Sequence, residues 1–199
     1  MRKLKLQVQM SVDGFVGGTN GEMGFLARNW DAGIIEYVTD LTESMDCIVL
    51  GRKLAQGFIP HWAGVAANPE HPEHLAGIKF TDTPKVVFSK TLEKSKWANT
   101  VLAKGDLVEE ITRLKQQPGK DIIAYGGATF VADLVRNNLI DEYHLFINPA
   151  AIGRGLTIFG TLFGTLTAPQ SLRLVKSTTF ECGIVVLNYE PNRSWLKSE

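Results

Sequence analysis

The sequence predicts an α/β fold, and three observations carry that prediction. Short apolar runs ending in glycine lead at once into segments of helical spacing, at Cys47 to Lys53 and again at Asp121 to Ile140. Cys47 to Leu50 and Lys85 to Ser89 are runs of the kind found in strands buried on both faces. After Ile140 come strand-like segments at Asp141 to Asn148, Leu172 to Phe180 and Ile184 to Glu190, with no helix between the last two, so antiparallel pairing is expected at that end. At 199 residues the chain is expected to form one domain, 1–199, with a full core. Its 44% hydrophobic and 21% charged residues argue against disorder, and 19 glycines suggest several tight strand-to-helix turns.

The charges exclude some partners. The 21 basic and 21 acidic residues cancel, so no global field draws the chain to nucleic acid or an anionic membrane, and any anion recognition must be local. Cys47 and Cys182 lie in or beside apolar runs without C-x-x-C spacing and are expected to be reduced thiols. Residues 1 to 20 show strand-like alternation where a signal peptide would have its apolar core, and no apolar run is long enough to span a membrane, so a cytoplasmic protein is expected.

Leu4, Leu6, Val8 and Met10 alternate with Lys5, Gln7 and Gln9, the period of a strand. The glycine-rich SVDGFVGG loop follows, with Asp13 expected to cap a turn, and Gly17 and Gly18 suited to a flap or a hairpin. From Asp31 to Ser44, the spacing of Ile34, Ile35, Val38 and Leu41 predicts one face of a helix. Asp31 has two readings there: an N-cap, or a carboxylate that anchors or protonates a substrate.

Gly51, Arg52 and Lys53 stand where a second strand meets a second helix, so the two cations are either solvated charges or phosphate ligands. Pro60, Pro69, Pro72 and Pro84 bracket a stretch containing HWAGVAANPEHPEH, which reads as a long surface loop. His71 and His74 lie within it, but no carboxylate or thiol set completes a metal site, so none is expected. Ser89, Lys90 and Thr91 at the next strand end could bind phosphate or close a turn. Asp106 is expected to cap a helix to about Gln117, with Leu107, Val108, Ile111 and Leu114 inward and Pro118-Gly119 as its stop.

The Asp121 to Ile140 stretch, DIIAYGGATFVADLVRNNLI, is the strongest anion signal. A strand that stops at Gly126-Gly127 and turns directly into a helix leaves backbone N–H groups pointing outward at the positive end of the dipole. Glycine lets a phosphate approach that backbone, although a glycine pair also ends strands for steric reasons alone. Beyond the last strand, Pro191 to Glu199 reads as a polar tail.

SVDGFVGG, VLGRKLAQGFIPHW from Val49, KVVFSKTL from Lys85, IIAYGGATF from Ile122 and GRGLTIF from Gly153 occur in the order seen in the dihydrofolate reductase-like family. The chain most resembles the branch related to the reductase domain of the bacterial riboflavin-pathway deaminase-reductase. That resemblance implies a mostly parallel central sheet with antiparallel C-terminal strands, helices on both faces, and bound NADPH. It places Gly51, Arg52 and Lys53 against the dinucleotide phosphates and Ser89 with Lys90 near the adenosine 2′-phosphate. Gly126, Gly127, Ala128 and Thr129 would hold the pyrophosphate. On the substrate side it points to an acid on the first helix, matched approximately by Asp31, with Glu36 as the rival. It further implies hydride transfer to a small pterin-like or ribosylamino-pyrimidine-like heterocycle. A cofactor-binding protein with little reductase activity is the alternative. Relatives of this branch commonly pair, and the apolar C-terminal strands leave an edge to protect, so a homodimer is expected.

Overall fold

The computed structural model describes residues 1–27, 29–161, 164–166 and 169–192. The chain opens with β1 (Leu4–Ser11), α1 (Ala32–Glu43), β2 (Met45–Gly51), α2 (Arg52–Ala66), α3 (His74–Asp82), β3 (Lys85–Phe88) and β4 (Thr100–Ala103). It continues with α4 (Leu107–Gln116), β5 (Asp121–Tyr125), α5 (Ala128–Arg136) and β6 (Glu142–Asn148). A two-stranded ribbon, β7 (Gly160–Thr161) with β8 (Gly164–Thr165), precedes β9 (Leu172–Thr179) and β10 (Val185–Pro191). The expected polar tail falls, from residue 193 on, outside the described residues.

The main sheet has the order β4-β3-β2-β5-β1-β6-β10-β9. Its first six strands are parallel, β10 runs antiparallel to β6, and β9 antiparallel to β10. This is the dihydrofolate reductase-like architecture that the resemblance implied. Strand alternation divides the core into two layers. Leu4, Leu6, Val8, Cys47, Val49, Ile122 and Ala124 pack with Ile111 and Leu114 of α4 and Val131, Leu134 and Val135 of α5. On the other face Ile48, Leu50, Ile123 and Tyr125 meet Leu41 of α1, Ala55 and Ile59 of α2 and Phe80 of α3. Ile34 of α1 extends that layer over Phe146, Ile184 and Val186.

Two sequence expectations are corrected and one element is added. The stretch from His61 to Ala66 continues α2 through Pro60, and His74 opens α3, where a loop was expected. Pro60 faces solvent, while Phe58 and Trp62 on the inner side meet Phe80 at ring-centroid distances of 5.6 and 4.4 Å. That packing outweighs the roughly 3 kcal/mol a helical proline costs. The two helices can approach because α3 carries Gly77 at the contact, where a Cβ would lie 2.6 Å from Ala66 N. Second, Ile35 and Val108 are 52% and 39% exposed, so the buried stripes of α1 and α4 are narrower than their sequence spacing suggests. The added element is β4, an edge strand beside β3. Four residues with Val101 facing out give little periodic signal.

Candidate functional site

Adjacent parallel strands β2 and β5 end at the same edge of the sheet, and the helices that follow leave in opposite directions. α2 lies on one face on the way to β3, and α5 on the other on the way to β6. A crevice outside the strand ends at such a reversal is where open α/β sheets bind ligands. The two helices that flank it start differently from their capped neighbours. α1 and α4 are capped by the side chains of Asp31 and Asp106, whereas α2 and α5 begin at Gly51 and Gly127 with no side-chain cap and no acid in the first turn. Their first N–H groups are therefore not taken by a capping side chain, and no carboxylate offsets the dipole.

The glycines here serve two distinct ends. A Cβ on Gly51 would meet Phe130 Cβ at 2.7 Å, so this glycine lets α5 pack on β2. Gly126 and Gly127 have φ of +21° and +86°, and a Cβ on either would meet only Leu54 of α2, at 3.7 and 3.6 Å. Backbone conformation, not crowding, calls for glycine at this pair. Phe130 from α5 thus covers Gly51, and Leu54 from α2 lies beside Gly126-Gly127, so the two helix starts interlock.

Arg52 is half-buried, and Lys53, Lys90 and Thr129 are exposed. Among the described residues none of these side chains has a hydrogen-bond or ion-pair partner. Ala128, at the first position of α5, is half-buried. Ser89 is buried and closes a turn: its Oγ accepts from Thr91 N at 3.2 Å and Leu92 N at 3.0 Å, which leaves its O–H as a donor. Lys104 was not legible in the sequence because it depends on β4. Phe88 pairs with Ala103, so Lys90 and Lys104 follow neighbouring strand ends.

Asp31 is engaged at both oxygens. Oδ1 accepts from Ile34 N at 3.0 Å as the N-cap of α1, and Oδ2 accepts from Cys182 N at 3.0 Å in the turn before β10. These bonds, that from Ile34 foremost, hold its pKa below the usual carboxylate range, so the group is ionised near neutral pH. Glu36 is exposed further along α1. Asp13 ties two loops together where a local turn cap was expected. Its Oδ2 accepts from Gly153 N at 2.7 Å and Ile152 N at 3.1 Å, and Gly17 bridges Leu156. A groove of about 370 Å³ beside this seam is lined by Gly18, Thr19, Phe25, Ile152 and Arg154, among others.

The interior beneath α1 is more polar than the sequence indicated. The Tyr37 hydroxyl lies 2.6 Å from His144 Nδ1, and His144 Nε2 lies 2.8 Å from Glu142 Oε1. The bond to His144 is the main reason that the Glu142 pKa falls to about 2. Although Lys5, Gln7 and Gln9 alternate with apolar positions, β1 lies inside the sheet, and Lys5 Nζ donates to Ser44 Oγ, at the C-cap of α1, at 3.0 Å. Burial pushes the Cys47 thiol up to about 11, which leaves it unreactive, and Cys182 is also free. Among the described residues there is no cluster of three metal-ligating side chains, and no helix is long and apolar enough to cross a membrane.

Comparison with known proteins matches residues 2–186 to the family described as the RibD C-terminal domain. The uncharacterized protein YyaP of Bacillus subtilis (strain 168) is 30% identical over 194 residues, covering 96% of each chain. A protein of Shewanella sp. PV-4 assigned by name to riboflavin biosynthesis shares the fold with a TM-score of 0.69 at 21% identity, over 97% of this chain and all of that one. The diaminohydroxyphosphoribosylaminopyrimidine deaminase/5-amino-6-(5-phosphoribosylamino)uracil reductase of Thermotoga maritima gives 0.67 at 15% identity, over 96% of this chain and 56% of that chain.

Proposed function

This chain belongs to the RibD C-terminal domain family, and on that premise we propose that it is an NADPH-dependent reductase of a small pyrimidine-like or pterin-like heterocycle. The observation that carries the reading is the pair of adjacent strand ends, β2 and β5, after which two helices without side-chain caps start at glycines on opposite faces of the sheet, the place where open α/β sheets form a ligand crevice. The local chemistry fits a dinucleotide. Gly126, Gly127, Ala128 and Thr129 offer backbone N–H groups and a hydroxyl to a pyrophosphate, and Gly51 with Arg52 and Lys53 offers the facing wall. Lys90, with the free O–H of Ser89 and with Lys104, supplies donors for a 2′-phosphate at the ends of β3 and β4.

When bound, the nicotinamide supplies the hydride. The chain's own part is to hold the two reactants in register, exclude water and help place a proton. Asp31 suits one half of its expected role better than the other. Each of its oxygens retains a lone pair for an N–H of an amino-heterocycle, but a depressed pKa makes it a poor acid. The proton is then drawn from water or from Glu36. The same observation favours the second reading, a cofactor-binding protein of this fold with little reductase activity.

The test is turnover. The full chain is incubated with NADPH and a panel of pyrimidine and pterin substrates while loss of reduced-nicotinamide absorbance is followed. Substrate-dependent oxidation is the expected result. Tight NADPH binding with no oxidation across the panel would select the binding-protein reading, and no NADPH binding would remove both.

A further inference from the structure

Tyr125 of β5, Gln7 of β1, His144 of β6 and Asn188 of β10 stand directly opposite one another across four strands. All four side chains are polar and at least nine-tenths buried. His144 and Asn188 are supplied with partners in Tyr37 and Glu142. Gln7 and Tyr125 are not. Gln7 Oε1 and the Tyr125 hydroxyl are shut off from solvent with no hydrogen-bond partner among the described residues. Native interiors rarely leave such groups unmatched, and two in adjacent registered positions call for one explanation.

Their place in the fold supplies it. Gln7 opposite Tyr125 is the last pair that β1 makes with β5, and Gly126 follows immediately. The pair therefore lies directly below the glycines of the crevice. On one side the Tyr125 ring stacks on Phe58 of α2 at 5.2 Å. On the other stands Tyr37 of α1, which packs against the hydrophobic clusters under both helices.

We propose that Gln7 and Tyr125 are specificity residues that hydrogen-bond the planar amide edge of a bound heterocycle at the floor of the crevice. The inference rests on the reading of that crevice as a reductase site. A primary amide offers an acceptor and donors in one plane, which matches a group presenting N–H beside C=O, and the phenol adds a third contact. Two ligands of the reaction carry such an edge: the lactam of a pyrimidine or pterin and the carboxamide of nicotinamide. Access of a ligand to the pair requires the Phe58 ring to leave its stacked position over Tyr125. Buried polar groups left unmatched by the fold itself are in keeping with a site that gives up stability for recognition.

The experiment uses the full chain with Gln7→Met and Tyr125→Phe, which remove the polar atoms and keep the volume. Thermal unfolding of the free protein is measured, and binding of NADPH and of 5,6-diaminouracil, a lactam probe, is titrated. Both variants should melt higher than wild type by about 2 °C or more, because an unmatched buried group has been removed. Each should also bind one of the two probes at least about tenfold more weakly, the scale of a lost buried hydrogen bond. Weakened diaminouracil binding assigns the edge to the substrate, and weakened NADPH binding assigns it to the nicotinamide. Lower melting temperatures in both variants, which would reveal partners within the fold, overturn the proposal, as does wild-type affinity for both probes. If wild type itself binds neither probe, the reductase reading falls with it, whereas failure confined to the variants leaves that reading standing.

Discussion

At the scale of single residues, Asp31 shows how one side chain serves structure and is still available to a ligand. The helical spacing after it made a cap legible in the sequence, and Oδ1 fills that role on Ile34 N. The bond from Cys182 N was not legible, because it joins positions 151 residues apart through the turn before β10. That second bond alters what a substitution does. Asparagine caps a helix nearly as well as aspartate, but its amide would set a donor against the Cys182 N–H if its oxygen keeps the cap. Asp31→Asn should therefore lower Tm by about 2–4 °C, the scale of one lost hydrogen bond in a chain of this size. If Asp31 also anchors the heterocycle, KM for the substrate should rise about tenfold or more, the scale of a lost charge-assisted bond. A lower Tm with unchanged KM would assign Asp31 to the cap alone. Gly51 teaches a related lesson: its place beside two cations suggested a phosphate contact, but the nearest demand on it is the Phe130 side chain.

At the scale of elements, the parallel strands and the helices that follow glycine were readable because each carries its own period or stop signal. What escaped was decided by packing partners. α2 runs through Pro60 because an aromatic cluster holds its inner face, and β1 can carry the buried polar Gln7 because it lies between β5 and β6 in the sheet. The layer between α1 and β6 carries a pH dependence. Glu142 has a pKa of about 2 in the folded chain, below the ordinary glutamate value, so its bonded carboxylate stabilises the fold above the unfolded pKa. That contribution is lost as pH falls from about 4.5 towards 2, and allowing for the part water reaches it is worth about 2 kcal/mol. Urea unfolding should show wild type losing more stability than Glu142→Gln between about pH 5 and 3. Parallel losses in the two proteins would mean that the bond to His144 does not select the charged form.

At the scale of the whole molecule, the sheet is finished at one side by β9, whose residues are mostly exposed and include Leu174 and Val175, each about half accessible. An eight-residue edge of this kind is a template for pairing unless another surface covers it. We propose that a second copy of the chain does so, and light scattering at micromolar concentration should give twice the 21.9 kDa of one chain. A mass of one chain would contradict the dimer. The antiparallel end was legible because no helix separates the last two strand-like segments, whereas the mostly parallel sheet was implied by the family resemblance of five ordered motifs. The crevice itself required the fold, because Leu54, Phe130, Lys90 and Lys104 come to the same edge only once β2, β3, β4 and β5 are ordered side by side.

The account stands on that crevice holding the dinucleotide, and a titration with NADPH and NADH tests it most directly. Gly127→Asn is the informative variant, because asparagine tolerates the left-handed backbone that valine would strain, while its side chain extends from the phosphate cradle. Wild type should bind NADPH more tightly than NADH, Arg52→Ala and Lys90→Ala should each weaken NADPH binding about tenfold or more, Lys90→Ala should narrow that preference, and folded Gly127→Asn should lose both cofactors. Wild-type affinity for NADPH in a folded Gly127→Asn protein, with the NADPH to NADH ratio unchanged in Lys90→Ala, would contradict the site proposed here.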